Sequence, residues 1–172
     1  MFFGTNSAAL QPANGSKAMP ETMQTTRPRT ILFVEDDEVV LMAYRNRLQR
    51  EGFRVEAARD GLEAMKILLT SAPDLVVLDL MLPKFNGEEV LKFIRADRSL
   101  KALPVIIFST NSIIDAEHEP VLESARRRLI KSTCTASMLV AAIRDALADE
   151  SAEPAASPVL RPFSTILQTA AV

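Results

Sequence analysis

Three short runs in this sequence are apolar at every position: Ile31-Leu32-Phe33-Val34, Leu75-Val76-Val77-Leu78 and Val105-Ile106-Ile107-Phe108. Each is too short for a helix, is bounded by polar or turn-forming residues, and keeps no polar face for water. That is the pattern of strands covered on both sides, as in a parallel sheet. Between the runs the apolar positions recur with helical period: Val40, Leu41, Tyr44 and Leu48; Leu62, Met65 and Leu69; Val90, Phe93 and Ile94; Leu139, Ile143, Ala146 and Leu147. Two weaker strands complete the set. Arg54-Val55-Glu56-Ala57 alternates polar and apolar, and Arg127-Arg128-Leu129-Ile130 is apolar only in its second half, so both suit sheet edges that meet water. Pro73, Pro83 and Pro104 fall in the connections, where a missing N–H does no damage. The alternation predicts an α/β fold: a doubly wound, five-stranded parallel sheet, most simply of order 2-1-3-4-5.

The flanks have a different character. Residues 1–29, rich in Ser, Thr, Asn, Gln, Pro and Ala, carry no period and are expected to form a disordered arm before a folded domain over residues 30–149. Residues 150–172 read as an Ala/Pro-rich linker and a short apolar tail, too short for an effector domain. With 172 residues, 48% of them hydrophobic, the chain has room for one aliphatic core. A net charge of -2 gives no reason to expect nucleic-acid binding, which needs a surplus of Lys and Arg. One cysteine, Cys134, and one histidine, His118, exclude an internal disulfide and a zinc site of clustered Cys and His. The start, Met1-Phe2-Phe3-Gly4, has no basic region or apolar run of a secretory signal, and no stretch approaches the roughly 20 apolar residues of a membrane span. A cytoplasmic location with no membrane partner is expected.

In a sheet of this kind ligands bind beyond the carboxyl ends of the strands, near the point where strand order reverses. The residues found there are Glu35, Asp36 and Asp37 after the first run, Asp79 after the second, Ser109 and Thr110 after the third, and Lys131 after the last strand. Crowded carboxylates repel one another and raise their own pKa values unless a cation intervenes. Oxygen ligands without His or Cys favour magnesium, calcium or manganese, and few carboxylates with room for phosphate oxygens favour Mg2+. Lys131 and the Ser109 hydroxyl suit a phosphoryl group better than a metal. A carboxylate such as Asp79 can accept that group directly as an acyl phosphate. Asp37 serves equally well as the N-cap of the following helix.

Taken together, Val34-Glu35-Asp36-Asp37, Leu78-Asp79-Leu80-Met81-Leu82-Pro83, Asn86-Gly87, Leu103-Pro104-Val105 and Ser109 resemble the receiver domains of response regulators over roughly residues 30–149. The resemblance implies the flavodoxin-like (βα)5 fold and a single-domain switch of two-component signalling. It further implies Asp79 as phosphoacceptor, Mg2+ held by Glu35, Asp36, Asp79 and the backbone carbonyl of Met81, and Ser109 and Lys131 as partners of the phosphoryl group. The donor would be a sensor histidine kinase or a histidine phosphotransfer protein. Such a protein catalyses only its own phosphorylation and dephosphorylation and signals by protein contact in a phosphorelay. Output through the face of the fourth helix, fifth strand and fifth helix, with Arg127 and Arg128 as contacts, and a phosphorylation-dependent homodimer are further expectations.

Three positions depart from the family pattern. Ser132 follows Lys131 where proline is usual, Thr110 stands where a small residue is usual, and Arg128 replaces a common aromatic. Thr110 is therefore expected to crowd the approach of water to the phosphoryl group, and Arg128 to stay outside and meet a partner. Two rivals remain. A hydrolase of the haloacid-dehalogenase kind requires a second acid two residues after the nucleophile, and Met81 stands there. A phosphorylation-independent interaction module with the same fold is opposed by the intact set Glu35, Asp36, Asp79, Ser109 and Lys131.

Overall fold

The computed structural model describes residues 1, 27–110 and 119–148. Most of the expected arm, and the linker and tail, lie outside these residues. Ten elements alternate along the chain: β1 Thr30–Val34, α1 Glu38–Arg50, β2 Arg54–Ala58, α2 Gly61–Thr70, β3 Leu75–Leu78, α3 Gly87–Ala96, β4 Val105–Ser109, α4 Glu119–Leu122, β5 Arg127–Ile130 and α5 Ala136–Ala148. The strands pair in parallel in the order β2-β1-β3-β4-β5.

Strand side chains alternate between faces, and this divides the apolar runs into two cores. Ile31, Phe33, Val77, Ile106 and Phe108 meet α1 and α5 on one side. Leu32, Val34, Val76, Leu78 and Ile107 meet α2 and α3 on the other. Both edge strands take the expected places, β2 with a partly exposed pattern and β5 with no fully buried residue. The stripe expected on α5 is buried throughout. On α2 the phase differs. Gly61, Ala64 and Leu68 are buried, while Leu62, Met65 and Leu69 are only half-buried. The period is helical as expected, but small residues let the α2 backbone come close, and closeness of approach is not encoded in hydrophobicity.

Ion pairs fasten the ends of the layers. Arg27 and Arg29 both reach Asp74 Oδ1, at 3.0 and 2.8 Å, and the Thr30 N–H donates to its Oδ2. Arg95 donates to the carbonyls of Lys101, Leu103 and Ser124, which fixes the entries to β4 and β5.

Candidate functional site

β1 and β3 are neighbours, yet the chain leaves β1 toward β2 and leaves β3 toward β4, so a crevice opens between their carboxyl ends. The sheet ladder continues one residue into it. The N–H of Glu35 donates to Ala58 O at 2.9 Å, that of Asp79 to Val34 O at 3.1 Å, and that of Lys131 to Ser109 O at 2.9 Å. Three of the expected site residues are thus pinned by their own backbones.

Their side chains converge. Lys131 Nζ donates to Asp79 Oδ2 at 2.5 Å and to Glu35 Oε1 at 2.7 Å, across 52 and 96 residues of sequence. Glu35 and Asp79 are buried, Asp36 is exposed, and one carboxylate oxygen of each lies within 4.8 Å of the others. The Met81 N–H donates to Asp79 Oδ1 at 3.1 Å, and the Asp37 N–H reaches Glu35 Oε1 at 3.4 Å.

Burial pushes the Glu35 carboxyl above its ordinary range, and the charge of Asp79 adds to the rise, although Lys131 and the Asp37 N–H oppose it. For Lys131 burial acts downward, but hydrogen bonds to Asp79 and Glu35 outweigh it and the ammonium is held more firmly than usual. The lysine is the counter-charge of both acids.

Two buried oxygens in the site are left without a hydrogen-bond partner, Ser109 Oγ and Glu35 Oε2. Lys131 Nζ lies 2.6 Å from that Glu35 oxygen as an ion pair, but its hydrogen bond goes to the other one. A buried hydroxyl that lacks any partner costs free energy, so the Ser109 oxygen suits a bound group. A free hydroxyl fits an oxygen of a phosphoryl group, and carboxylate oxygens of Glu35, Asp36 and Asp79 within 4.8 Å of one another fit a hard divalent cation. The residues present therefore fit both groups.

Asp37 has a different use. Its Oδ1 accepts from the N–H groups of Val39 and Val40 at 2.8 and 3.1 Å, which makes it the N-cap of α1. Asp37→Ala should lower stability by about 1 kcal/mol. Chemical denaturation with and without Mg2+ checks this, and the increment due to the metal should stay the same.

Thr110 follows β4 and is exposed. On β5, Arg127 and Arg128 are exposed and point to opposite faces of the sheet, and Arg127 pairs with Asp145 of α5 at 3.1 Å. No described peptide bond is cis. The stretch after Lys131 is instead held by the N–H groups of Thr133 and Cys134, both donating to Ile130 O, and by Tyr44 Oη donating to Cys134 O at 3.2 Å. Tyr44 in turn stands edge-on to Phe108, with ring centroids 5.0 Å apart. Its part in supporting the lysine loop was not legible in the sequence, where it reads only as a core residue. Gly87 was visible as part of Asn86-Gly87, but its reason was not. A Cβ there would overlap the carbonyl oxygen of Asp79 and come within 2.8 Å of Leu80 Cα.

Residues 31–144 match the family described as response regulator receiver domain. The chain belongs to that family. It is 27% identical over 122 residues to the polar-differentiation response regulator DivK of Brucella anthropi, covering 71% of this chain and 98% of that protein. Among solved structures, TrrA of Thermotoga maritima, a response regulator in complex with Mg(2+)-BeF, superposes with a TM-score of 0.62 at 27% identity, covering 69% of this chain and 99% of that one. The receiver domain of a histidine kinase from Syntrophus aciditrophicus, 24% identical with a TM-score of 0.66 over 75% of this chain and 97% of its own, shares the fold. Receiver domains are signalling proteins that bind Mg2+ at an acidic pocket and interact with histidine kinases or phosphotransfer proteins, and this receiver has an acidic group of that kind in Glu35, Asp36 and Asp79.

Proposed function

We propose that this receiver takes a phosphoryl group onto Asp79 from a histidine kinase or histidine phosphotransfer protein, in a Mg2+-dependent reaction, and passes the signal on by protein contact in a phosphorelay. The observation that carries the reading is the contact of Lys131 with both Asp79 and Glu35; its backbone N–H donates to the carbonyl of Ser109, whose buried hydroxyl has no partner.

A carboxylate oxygen of Asp79 attacks phosphorus, the new O–P bond forms as the P–N bond of phosphohistidine breaks, and the imidazole leaves with the electron pair. Lys131 places its charge next to the attacking carboxylate, and the Ser109 hydroxyl is free to donate to a phosphoryl oxygen. Glu35, Asp36, Asp79 and the Met81 carbonyl would hold Mg2+, which when bound supplies charge neutralisation for carboxylate and phosphoryl oxygens. Thr110 stands beside that group and crowds its hydrolysis. Output runs through α4, β5 and α5, with Arg127 and Arg128 as electrostatic contacts, and a homodimer formed on this face after phosphorylation belongs to the same reading, as does a cytoplasmic setting. No helix among the described residues is long and apolar enough to cross a membrane.

Incubation with acetyl phosphate and Mg2+, followed by intact mass, tests the proposal: one phosphoryl group per chain is expected, and none without the metal. An unmodified chain would favour the phosphorylation-independent module, which Ser132, Thr110 and Arg128 leave open.

Metal binding has a second signature. Because the folded state holds the Glu35 proton more tightly than the unfolded chain, this group adds stability below its ordinary value of 4.5, and that contribution is lost as pH rises through the raised one. Mg2+ should relieve the ionised acids, so it should raise Tm more near neutral pH than at pH 4.5, where the metal must displace a proton. Thermal melts with Mg2+ and with chelator check this. Asp36→Ala should abolish most of the rise.

A further inference from the structure

Between Asp79 and α3 the chain passes through Leu80–Asn86, the segment that carries Met81. Its far end is closed by a capping box, in which Asn86 and Glu89 exchange side-chain and backbone hydrogen bonds. Leu82 is buried in the α2 and α3 core. The middle of the segment is held from elsewhere, by the N-terminus of α2.

There Lys84 Nζ lies 2.5 Å from Asp60 Oδ2, while Asp60 Oδ1 caps α2 by accepting the Glu63 N–H at 2.7 Å. Asp60 is buried, 9% exposed, so its charge is partly shielded from water. Lys84 adopts a φ of 68°, the left-handed region, where a residue with a Cβ is disfavoured. The next residue, Phe85, presses its carbonyl against Gly61 so closely that a Cβ there would overlap it. Phe85 as a whole is 40% exposed. An ion pair, a strained residue and a glycine contact therefore follow one another where the loop crosses α2.

We propose that Asp60 and Lys84 are positioning residues for Mg2+: their ion pair holds the Leu80–Asn86 segment in the conformation in which Met81 completes the metal site. This rests on the reading of Glu35, Asp36 and Asp79 as metal ligands. The strain at Lys84 gives the pair its purpose, because without the attraction of Asp60 the residue relaxes toward ordinary φ and carries Met81 with it. Neither side chain needs to touch the metal. Because Lys84 is 61% exposed, the effect is modest and sensitive to salt.

The test uses Asp60→Asn, which keeps a good N-cap and removes the charge, and Lys84→Met, which keeps the length of an exposed side chain. Mg2+ affinity by calorimetry is expected to fall about two- to fivefold in each. The double variant should lose no more than either single one, and the difference should shrink with added salt. In the metal-free proteins, amide exchange over residues 80–86 should quicken while the core strands exchange as before. A parent chain that binds Mg2+ with variants that bind as tightly overturns the proposal alone. A parent chain that binds no Mg2+ overturns the reading of the site and the proposal with it.

Discussion

Asp79→Asn should take up no phosphoryl group from acetyl phosphate under conditions in which the parent chain is expected to take up one. The side chains are nearly the same shape, and the Asn oxygen can still accept one of the contacts that Asp79 receives from the Met81 N–H and Lys131. What changes is chemistry: a carboxylate is a nucleophile toward phosphorus and an amide is not. The loss should therefore be complete rather than graded, with the fold preserved. Intact mass gives the stoichiometry, and hydroxylamine identifies the bond, since it cleaves an acyl phosphate but leaves a phosphoserine on Ser109 intact. Label that persists on Asp79→Asn, or that resists hydroxylamine on the parent chain, would show that another residue is the acceptor.

Gly87→Ala should damage stability and phosphorylation together. The added Cβ would meet the carbonyl of Asp79 and the Cα of Leu80, which are backbone atoms and cannot rotate away as a flexible side chain could. Overpacking of this sort costs about 1–3 kcal/mol, and here the displaced peptide belongs to the proposed acceptor, so the rate of labelling should fall as well. Gly52→Ala is the control. Gly52 has a φ of 89° with nothing within 4 Å of an added Cβ, so its replacement introduces backbone strain without a clash. That strain costs about 1–2 kcal/mol and lies after α1, remote from the acids, so labelling should be normal. Denaturation curves and labelling rates measured on both variants separate the two effects. Equal labelling by the two would mean that the seat of Gly87 does not set the position of Asp79.

The sequence by itself determined the order of the elements apart from the residues of α4, the two-sided burial of β1, β3 and β4, the edge positions of β2 and β5, and the residues that stand at the strand ends. The reason is local geometry. A strand repeats every two residues and a helix every 3.6, so apolar spacing reveals which element forms and which strands have no wet face. Once those strands are parallel, their carboxyl ends share one rim, and Glu35, Asp36, Asp79, Ser109 and Lys131 follow from position alone. Even the two uses open to Asp37 could be written down beforehand, since a helix N-terminus needs an acceptor wherever it occurs. The phase of α2 could not, because Gly61 and Ala64 are buried by how closely the helix approaches, not by their own hydrophobicity. Nor could the sharing of Lys131 between acids 52 and 96 residues away, the partnerless hydroxyl of Ser109, the contact of Gly87 with Asp79, or the meeting of Asp60 with Lys84. Each of these is a distance between segments far apart in the chain, fixed by strand register and by how tightly loops seat on helices, and no periodicity along the sequence records such a distance.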